Sequence, residues 1–209
     1  MPFSIIVGAH STNRAIGAKG KIPWKCRADM NFFKEITSKV SDSTKMNAVI
    51  MGRKTFESLS KPLPNRLNVV LSKGGSVLST LYEYGPSEFH AYVFTSDPTV
   101  SKLGSEKKKI GEMISIPKNV VIHDTFDNAI TKLEQDPNIE TIFVIGGENV
   151  YKQAINHPKC EKIYLNEVHV VCDLSESDAF FPNPDPNMYK LVETTIIDLT
   201  VTSFVFSAI

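Results

Sequence analysis

One acidic side chain, Asp29, stands on what is otherwise an apolar helical face. It follows a turn that ends at Trp24, and Phe32, Phe33 and Ile36 lie three, four and seven positions further along. Residues at these spacings share one face of a helix, so the carboxylate would lie in an apolar wall. An ionised carboxylate avoids such a wall unless a cationic or proton-donating group meets it there. We therefore predict that Asp29 faces a ligand; the alternative is that it caps the start of its helix.

A second candidate site follows the apolar run of residues 48–51. Gly52, Arg53, Lys54 and Thr55 come next, where a helix is predicted to begin. Free backbone N–H groups and the dipole at a helix start favour an anion, and basic side chains there are unfavourable without one. The pattern predicts a phosphate-binding turn, and the alternative is a pair of solvated surface cations.

Two further strand ends carry residues suited to a nucleotide. Gly146 and Gly147 follow an apolar strand, where they either let the backbone approach a ligand closely or merely serve the turn. Ser72 and Lys73 follow Leu71, and they place a hydroxyl and a cation where an NAD-specific fold usually has an acid. This pair of residues favours a cofactor with a 2′-phosphate, which is NADP, over NAD. Because the G-x-G-x-x-G and Walker spacings are not found here, a P-loop is not predicted.

The elements that must position these residues alternate between short β-branched runs and helical stretches. Strands are predicted at residues 3–7, 48–51, 67–71, 92–95, 119–123, 141–145 and 162–168, and helices at 29–40, 53–59, 126–135 and 149–156. This alternation predicts an α/β fold with a largely parallel sheet, whose ligands bind at the carboxyl ends of the strands. Residues 189–197 and 201–207 are expected to form a terminal antiparallel pair. The long connection from residue 72 to residue 118 is assigned no chemistry.

Composition argues against several classes of protein. Lys plus Arg and Asp plus Glu number 23 each, so the formal net charge is zero and no general attraction to nucleic acid is expected. The apolar runs are strand-sized, so no membrane span is expected. Three cysteines without CxxC spacing argue against disulfides and zinc, and the histidines lack metal-binding spacing. These features predict one domain over residues 1–209, without a metal, in the reducing cytoplasm.

In this order, the motifs resemble those of dihydrofolate reductase over nearly the whole chain. The segments that carry the resemblance are V-G-A at 7–9, I-G at 16–17, I-P-W at 22–24, the helix with Asp29 and Phe33, V-I-M-G-R-K-T-F-E-S at 49–58, P-N-R-L-N-V-V-L-S at 64–72, V-I-G-G-E-N-V-Y at 144–151 and D-A-F-F-P at 178–182. Any one of these segments is weak evidence, but their common order is specific to this family.

The resemblance implies a single-domain dihydrofolate-reductase-like α/β fold, with a central eight-stranded mixed, mostly parallel sheet flanked by helices and a C-terminal antiparallel hairpin. It implies reduction of 7,8-dihydrofolate to tetrahydrofolate, by hydride transfer from NADPH to C6 and protonation of N5, in support of one-carbon metabolism and thymidylate synthesis. The implied partners are small molecules, with no nucleic acid or membrane. Both a monomer and a domain of a thymidylate synthase fusion agree with it.

The resemblance also implies roles for single residues. Asp29 would bind the 2-amino and N3 groups of the pterin, Ile22 and Trp24 would belong to a loop that closes over the nicotinamide, and Tyr151 would flank that ring. Arg66 would bind the α-carboxylate of the glutamate tail, because its planar fork suits a carboxylate. The whole substrate set is Val7, Gly8, Ala9, Asp29, Met30, Phe33, Thr55, Leu59, Leu63, Arg66, Ile145 and Asn166. The cofactor set is Ala9, Ile16, Gly17, Gly52, Arg53, Lys54, Thr55, Leu71, Ser72, Lys73, Ile145, Gly146, Gly147, Glu148, Asn149, Val150 and Tyr151.

Three positions depart from the family pattern, and one pair follows it. Asn166 stands where a threonine usually contacts the pocket acid; an Asn can still donate, so we expect function to be kept with an altered pKa of Asp29. Gly8 replaces the usual alanine or valine and is expected to leave a small extra space, and Phe56 replaces a common tryptophan. The two glycines at 146 and 147 match a pair whose peptide bond is usually cis.

Two other functions agree with parts of the sequence. A pyrimidine reductase of flavin biosynthesis would share the scaffold, but it would lack the acid on an apolar helix face and the Arg66 carboxylate site. A nucleotide-binding protein without turnover is the second, because Asn166 alters the expected contact to the acid. Oxidation of NADPH in the presence of dihydrofolate distinguishes all three.

Overall fold

Strands and helices alternate along the chain, as predicted. The structure is a computed structural model, and it describes residues 1–73, 90–92, 113–115 and 118–209. Within these residues the strands are β1 (Phe3–His10), β2 (Ala15–Ala18), β3 (Met46–Gly52), β4 (Arg66–Leu71), β5 (His90–Tyr92), β6 (Met113–Ser115), β7 (Val120–His123), β8 (Ile139–Val144), β9 (Cys160–Val168), β10 (Ser177–Phe180), β11 (Tyr189–Asp198) and β12 (Val201–Ala208). The helices are α1 (Arg27–Ser38), α2 (Arg53–Ser58), α3 (Phe126–Glu134) and α4 (Glu148–Ile155).

Eight of the described strands form one sheet in the order β11-β12-β9-β1-β8-β3-β4-β7. Every pair from β9 to β7 is parallel, whereas β12 pairs antiparallel with both β9 and β11. The predicted mixed, mostly parallel sheet with a C-terminal antiparallel hairpin is therefore confirmed. Since the strands β1, β3, β4, β7 and β8 are parallel, their carboxyl ends lie at one edge, where a ligand crevice is expected.

Both faces of the sheet are covered, which parallel strands require. Along β3, Ala48 and Ile50 belong to one core cluster and Val49 and Met51 to another, because successive side chains point to opposite faces. The first cluster contains the apolar residues of α3 and α4, and the second contains those of α1 and α2. The helices thus lie in two layers, and α1 brings its first turn to the second face.

The structure differs from the predicted elements in several places besides small shifts at element ends, and one of them is β6, which was not predicted. Helix α1 begins at Arg27, two residues before the predicted start. The strands β2 and β10 pair with each other and were not predicted, because four residues are too few for a clear alternating pattern. The predicted strand at 92–95 overlaps β5 only at Tyr92, and residues 93–95 lie outside the described residues. Among the described helices, none is both long and apolar enough to cross a bilayer.

Candidate active site

A cleft with a cavity volume of about 1470 Å³ opens at the carboxyl ends of the parallel strands. The ends of β1, β3, β4, β7 and β8 contribute to it, together with α1, α2, the start of α4 and the segment around β2. Most of the residues predicted for substrate and cofactor line this single cleft: Val7, Gly8, Ile16, Gly17, Ile22, Trp24, Asp29, Met30, Phe33, Gly52, Arg53, Lys54, Thr55, Leu59, Leu63, Arg66, Leu71, Ser72, Lys73, Ile145, Gly147, Glu148, Asn149, Val150 and Tyr151.

The Asp29 carboxylate lies on the wall of this cleft and is partly buried. The Nδ2 of Asn166 donates a hydrogen bond to Asp29 Oδ1 over 2.9 Å. Burial raises the pKa of Asp29, and the hydrogen bond from Asn166 partly opposes that rise. The alternative that Asp29 caps its helix is wrong, since the N-cap is Cys26 and Asp29 lies in the first turn. Its carboxylate therefore faces the cleft beside apolar side chains.

Apolar side chains of α1, α2 and β8 form the walls next to this acid. Phe33 lies one turn after Asp29 and packs in the second core cluster together with Leu59, Leu63 and Ile145, and all four line the cleft. Met30 also lines the cleft and is 67% exposed. An apolar wall that carries the Asp29 carboxylate suits an aromatic heterocycle with hydrogen-bond donors.

Arg66 lines the same cleft and is only 3% exposed. Its Nη1 donates to Thr37 Oγ1 over 2.7 Å, its Nε donates to the Pro64 carbonyl over 3.0 Å, and its guanidinium lies 5.9 Å from the Phe33 ring centroid. Within the described residues, no Asp or Glu forms an ion pair with this guanidinium. A buried cation that lines a cleft in this way is a ready partner for a ligand carboxylate.

The segment from Ile16 to Trp24 covers the other side of the cleft. Ala18 and Lys21 exchange backbone hydrogen bonds, which makes a tight turn over Gly20. The backbone N–H of Lys19 donates to Asp178 Oδ2 over 3.0 Å, which ties this turn to β10. Ile22 is 63% exposed at the cleft mouth, whereas Trp24 is buried with its ring centroid 5.8 Å from that of His10.

One part of the cleft contains hydroxyl groups and cations from two strand ends. The Oγ of Ser72 is buried and has no hydrogen-bond partner among the described residues, while the Ser72 N–H donates to the His123 carbonyl over 2.9 Å. Lys54 is exposed, and Arg53 Nη1 lies 2.6 Å from Glu57 Oε1, so Arg53 is already paired within α2. An unpartnered buried hydroxyl beside exposed cations fits the phosphate of a dinucleotide.

Gly146 and Gly147 close the cleft between β8 and α4 through a cis peptide bond, as the resemblance implies. Gly146 has φ +100°, and a Cβ there would lie 2.6 Å from Cε2 of Tyr151. The Tyr151 hydroxyl donates to the Ile6 carbonyl over 2.9 Å, and burial raises its pKa far above the usual range. The aromatic ring therefore packs directly under the glycine turn.

Three predicted residues do not line the cleft itself. Gly146 lies behind Tyr151, Asn166 reaches the cleft only through Asp29, and Ala9 is buried in the core cluster of β1. The sequence interpretation also missed several cleft residues: Ile6, Lys19, Gly20, Lys21, Asn31, Lys34, Ser58, Pro64, Asp124, Thr125, Phe126, Asp127, Gln153, Asp178 and Ala179. Asp124 to Asp127 directly follow β7, so the strand-end rule could have found them.

Comparison with known proteins gives a consistent result over almost the whole chain. The dihydrofolate reductase family model matches residues 3–93 and 106–203. The dihydrofolate reductase of Heliothis virescens is 33% identical over 191 residues, which cover 90% of this chain and 83% of that protein. The one from Aedes albopictus is 33% identical over 186 residues, which cover 86% of this chain and 78% of that protein.

Longer relatives match the same region. The bifunctional dihydrofolate reductase-thymidylate synthase of Daucus carota is 34% identical over 196 residues, which cover 90% of this chain and 29% of that protein. This chain therefore spans less than a third of that bifunctional relative.

Proposed function

The chain belongs to the dihydrofolate reductase family, and we propose that it reduces 7,8-dihydrofolate to tetrahydrofolate with NADPH as the hydride donor. One observation carries the proposal: the Asp29 carboxylate stands in an apolar wall of the cleft, paired with the Asn166 amide. A carboxylate in this setting binds a donor-rich heterocycle edge strongly, because water does not compete well there. The 2-amino and N3 groups of a pterin offer such an edge.

The protein's own part in the reaction is to hold the pterin and to keep a proton near it. Bound NADPH supplies the hydride that C6 receives. Asp29 fixes the pterin edge, and Phe33 and Ile145 fix the plane of the ring. Because burial raises the pKa of Asp29, the carboxyl group keeps its proton to higher pH; the protonated form is the source of the proton that N5 receives, and the carboxylate left behind accepts from the pterin edge. The substrate tail extends toward Arg66, whose guanidinium binds the α-carboxylate.

The adenosine half of NADPH is assigned to the end of the cleft that contains Ser72. Its buried hydroxyl, together with the cations of Lys54 and Lys73, suits a 2′-phosphate. Gly147 supports close approach of the dinucleotide, because a Cβ there would lie 3.2 Å from Thr55 Oγ1 and would narrow the cleft. The roles of Ile16, Gly17 and the other predicted cofactor residues that line the cleft remain part of the same proposal.

The setting of this activity is also proposed. We assign residues 1–209 to one catalytic domain of a cytoplasmic protein, which agrees with three cysteines that are all free thiols. The matches include both free-standing reductases and thymidylate synthase fusions. A monomeric enzyme and one domain of such a fusion are therefore both compatible with this activity.

A spectrophotometric assay of NADPH oxidation tests the proposal. With dihydrofolate present, the wild-type protein is expected to oxidise NADPH and to use NADH poorly. Asp29→Asn should lower kcat/KM by about 10²- to 10⁴-fold, the usual contribution of a positioned acid. Glu35→Gln, an exposed acid of the same helix that does not line the cleft, should leave the activity unchanged. Full activity of Asp29→Asn, or turnover only with a pyrimidine substrate, would refute the assignment.

A further inference from the structure

The Asp29 carboxylate occupies space that a side chain at position 8 would need. A Cβ on Gly8 would lie 2.5 Å from Oδ2, 2.8 Å from Oδ1 and 2.9 Å from Cγ of Asp29. Carbon atoms do not approach a carboxylate this closely, so one of the two groups would have to move. Gly8 is not among the described glycines with positive φ, and its backbone would accept any residue. The glycine is therefore needed for space and not for backbone conformation.

The residue that binds Asp29 lies directly beside this glycine. Gly8 of β1 and Asn166 of β9 are register partners. The Asn166 amide and the Cα of Gly8 therefore both lie next to the Asp29 carboxylate. Asn166 is only 1% exposed, and its Nδ2 donates to Asp29 Oδ1 over 2.9 Å. Its Oδ1 is buried without a partner, next to its other register partner, Ser203, whose Oγ is also buried without one. Apart from Asp29, nothing in the described part of the chain orients the Asn166 side chain by a hydrogen bond.

We propose that Gly8 and Asn166 are a coupled pair of positioning residues: the missing side chain at 8 admits the Asp29 carboxylate against β1, and the Asn166 amide holds it there. The length of the Asn166 side chain suits a carboxylate that lies directly against β1, and the carboxylate can lie there only because residue 8 has no methyl group. A methyl group at 8 displaces the carboxylate and thereby lengthens its bond to Asn166. The importance of this pose for catalysis rests on the proposed function, whereas the pose itself can be measured without substrate.

The coupling has a consequence that simple damage to the fold would not produce. Donation from Asn166 favours the ionised form of Asp29, so loss of that bond raises the pKa of Asp29. Gly8→Ala and Asn166→Ala should therefore both raise this pKa, although only one of them removes the donor. In the described part of the chain, Tyr151 is the titratable group that interacts electrostatically with Asp29, and it stays neutral because its hydroxyl is buried and donates to the Ile6 carbonyl.

A double-mutant cycle on ligand-free protein and on turnover tests the pair. The pKa of Asp29 is measured by carbon-13 NMR of its carboxyl group, and kcat/KM is measured with dihydrofolate. Each single variant should raise the pKa and lower kcat/KM by about tenfold or more, as expected for a lost hydrogen bond to a charged group. The double variant Gly8→Ala/Asn166→Ala should be no worse than the poorer single variant, so that the effects fall short of their product by about fivefold or more.

A conservative variant supplies the rescue. Asn166→Thr keeps a donor on a shorter, β-branched side chain that suits a strand, and it gives the displaced carboxylate room to move toward β9. Gly8→Ala/Asn166→Thr should therefore recover much of the pKa and the activity that Gly8→Ala loses. If Gly8→Ala alone does not fold, this double variant is still expected to fold.

The possible outcomes separate this proposal from the proposed function. An unchanged pKa of Asp29 in Gly8→Ala, independent effects that simply multiply, or a double variant with threonine that is no better than Gly8→Ala would each overturn the coupling. If no variant and no wild-type protein turns over dihydrofolate, the proposed function fails. The pKa cycle would still decide whether Gly8 and Asn166 position Asp29 together.

Discussion

Burial and hydrogen bonding act in opposite directions on the carboxylate of Asp29. The apolar wall disfavours its charged form, and the donated bond from Asn166 favours that form. Burial raises the pKa more than the bond lowers it, so the folded protein holds the Asp29 proton more tightly than the unfolded chain does. The raised pKa on which the proposed proton delivery depends therefore also makes the ionised folded state less stable.

Replacing Asp29 with Asn should stabilise the protein at neutral pH. Because the folded-state pKa of Asp29 is raised, the stability it confers is complete below the unfolded-state pKa of about 3.9 and is lost as the pH rises through the folded-state pKa. Asn cannot ionise and therefore avoids this loss. The loss of folding free energy that is avoided is about 1.4 kcal/mol for each unit by which the pKa of Asp29 is raised. Urea unfolding at a series of pH values, from below the unfolded-state pKa of about 3.9 up to about pH 8, measures this difference. A stability difference that does not grow with pH would contradict this reasoning.

Arg66→Leu should weaken the binding of dihydrofolate far more than that of NADPH. The guanidinium is buried, fixed by Thr37 and Pro64, and lines the cleft, so its free donors can bind a substrate carboxylate. A hydrogen-bonded ion pair of this kind contributes about 1.5–3 kcal/mol, so the KM for dihydrofolate should rise about 10- to 100-fold. Steady-state kinetics with each substrate varied in turn give both KM values.

Lys61→Leu is the matched control for that experiment. Lys61 is exposed and lies before Pro64 in the same connection, and it is not among the described residues that line the cleft. Its replacement should leave both KM values close to those of the wild-type protein. Equal increases for the two substrates in Arg66→Leu would refute the carboxylate role.

At the scale of elements, strand ends and the turns that follow them position the site. Gly52 N–H donates to the Gly146 carbonyl over 2.8 Å, and Ile145 N–H donates to the Ile50 carbonyl over 2.9 Å. These two bonds join the end of β3 to the turn after β8, so the two glycine-containing turns are held together at one edge of the cleft. Sequence patterns predicted each turn separately, but the bonds between them come from a sheet order that is not readable from local spacing.

Gly146→Ala should destabilise the protein more than Gly20→Ala does. Both glycines have positive φ, +100° at Gly146 and +77° at Gly20. A side chain costs about 1–2 kcal/mol in such a conformation. At Gly146, a Cβ would also lie 2.6 Å from the buried Tyr151 ring, whereas at Gly20 nothing lies within 4 Å. Urea unfolding of the two variants measures the difference in their free energies of unfolding, and equal losses would contradict the steric part of this explanation.

At the scale of the whole molecule, the alternation of strands and helices predicted a largely parallel α/β sheet, and motifs at strand ends predicted the phosphate-binding turns. The eight strands and most residues of the cleft were implied by the family resemblance. The sequence interpretation missed the pairing of β2 with β10, since those strands are short and are held mainly by partners distant in sequence such as Asp178 and Lys19. It expected Asp29 and Asn166 to meet, and the structure places them 2.9 Å apart. The sequence could not predict that Gly8 lies beside Asn166 and against the Asp29 carboxylate, because these contacts depend on the register of β1 against β9.

The pH dependence of hydride transfer tests the role of Asp29 most directly. Stopped-flow measurement of NADPH loss with dihydrofolate, from pH 5 to pH 9, gives the rate for wild-type protein and for Asp29→Asn. The wild-type rate should fall as the pH rises through the raised pKa of Asp29, since the carboxyl group then loses its proton. Asp29→Asn should be slow throughout and should lack that titration. A level wild-type profile, or an Asp29→Asn profile that matches the wild type in rate and shape, would contradict the assignment of Asp29 as the acid that holds the pterin.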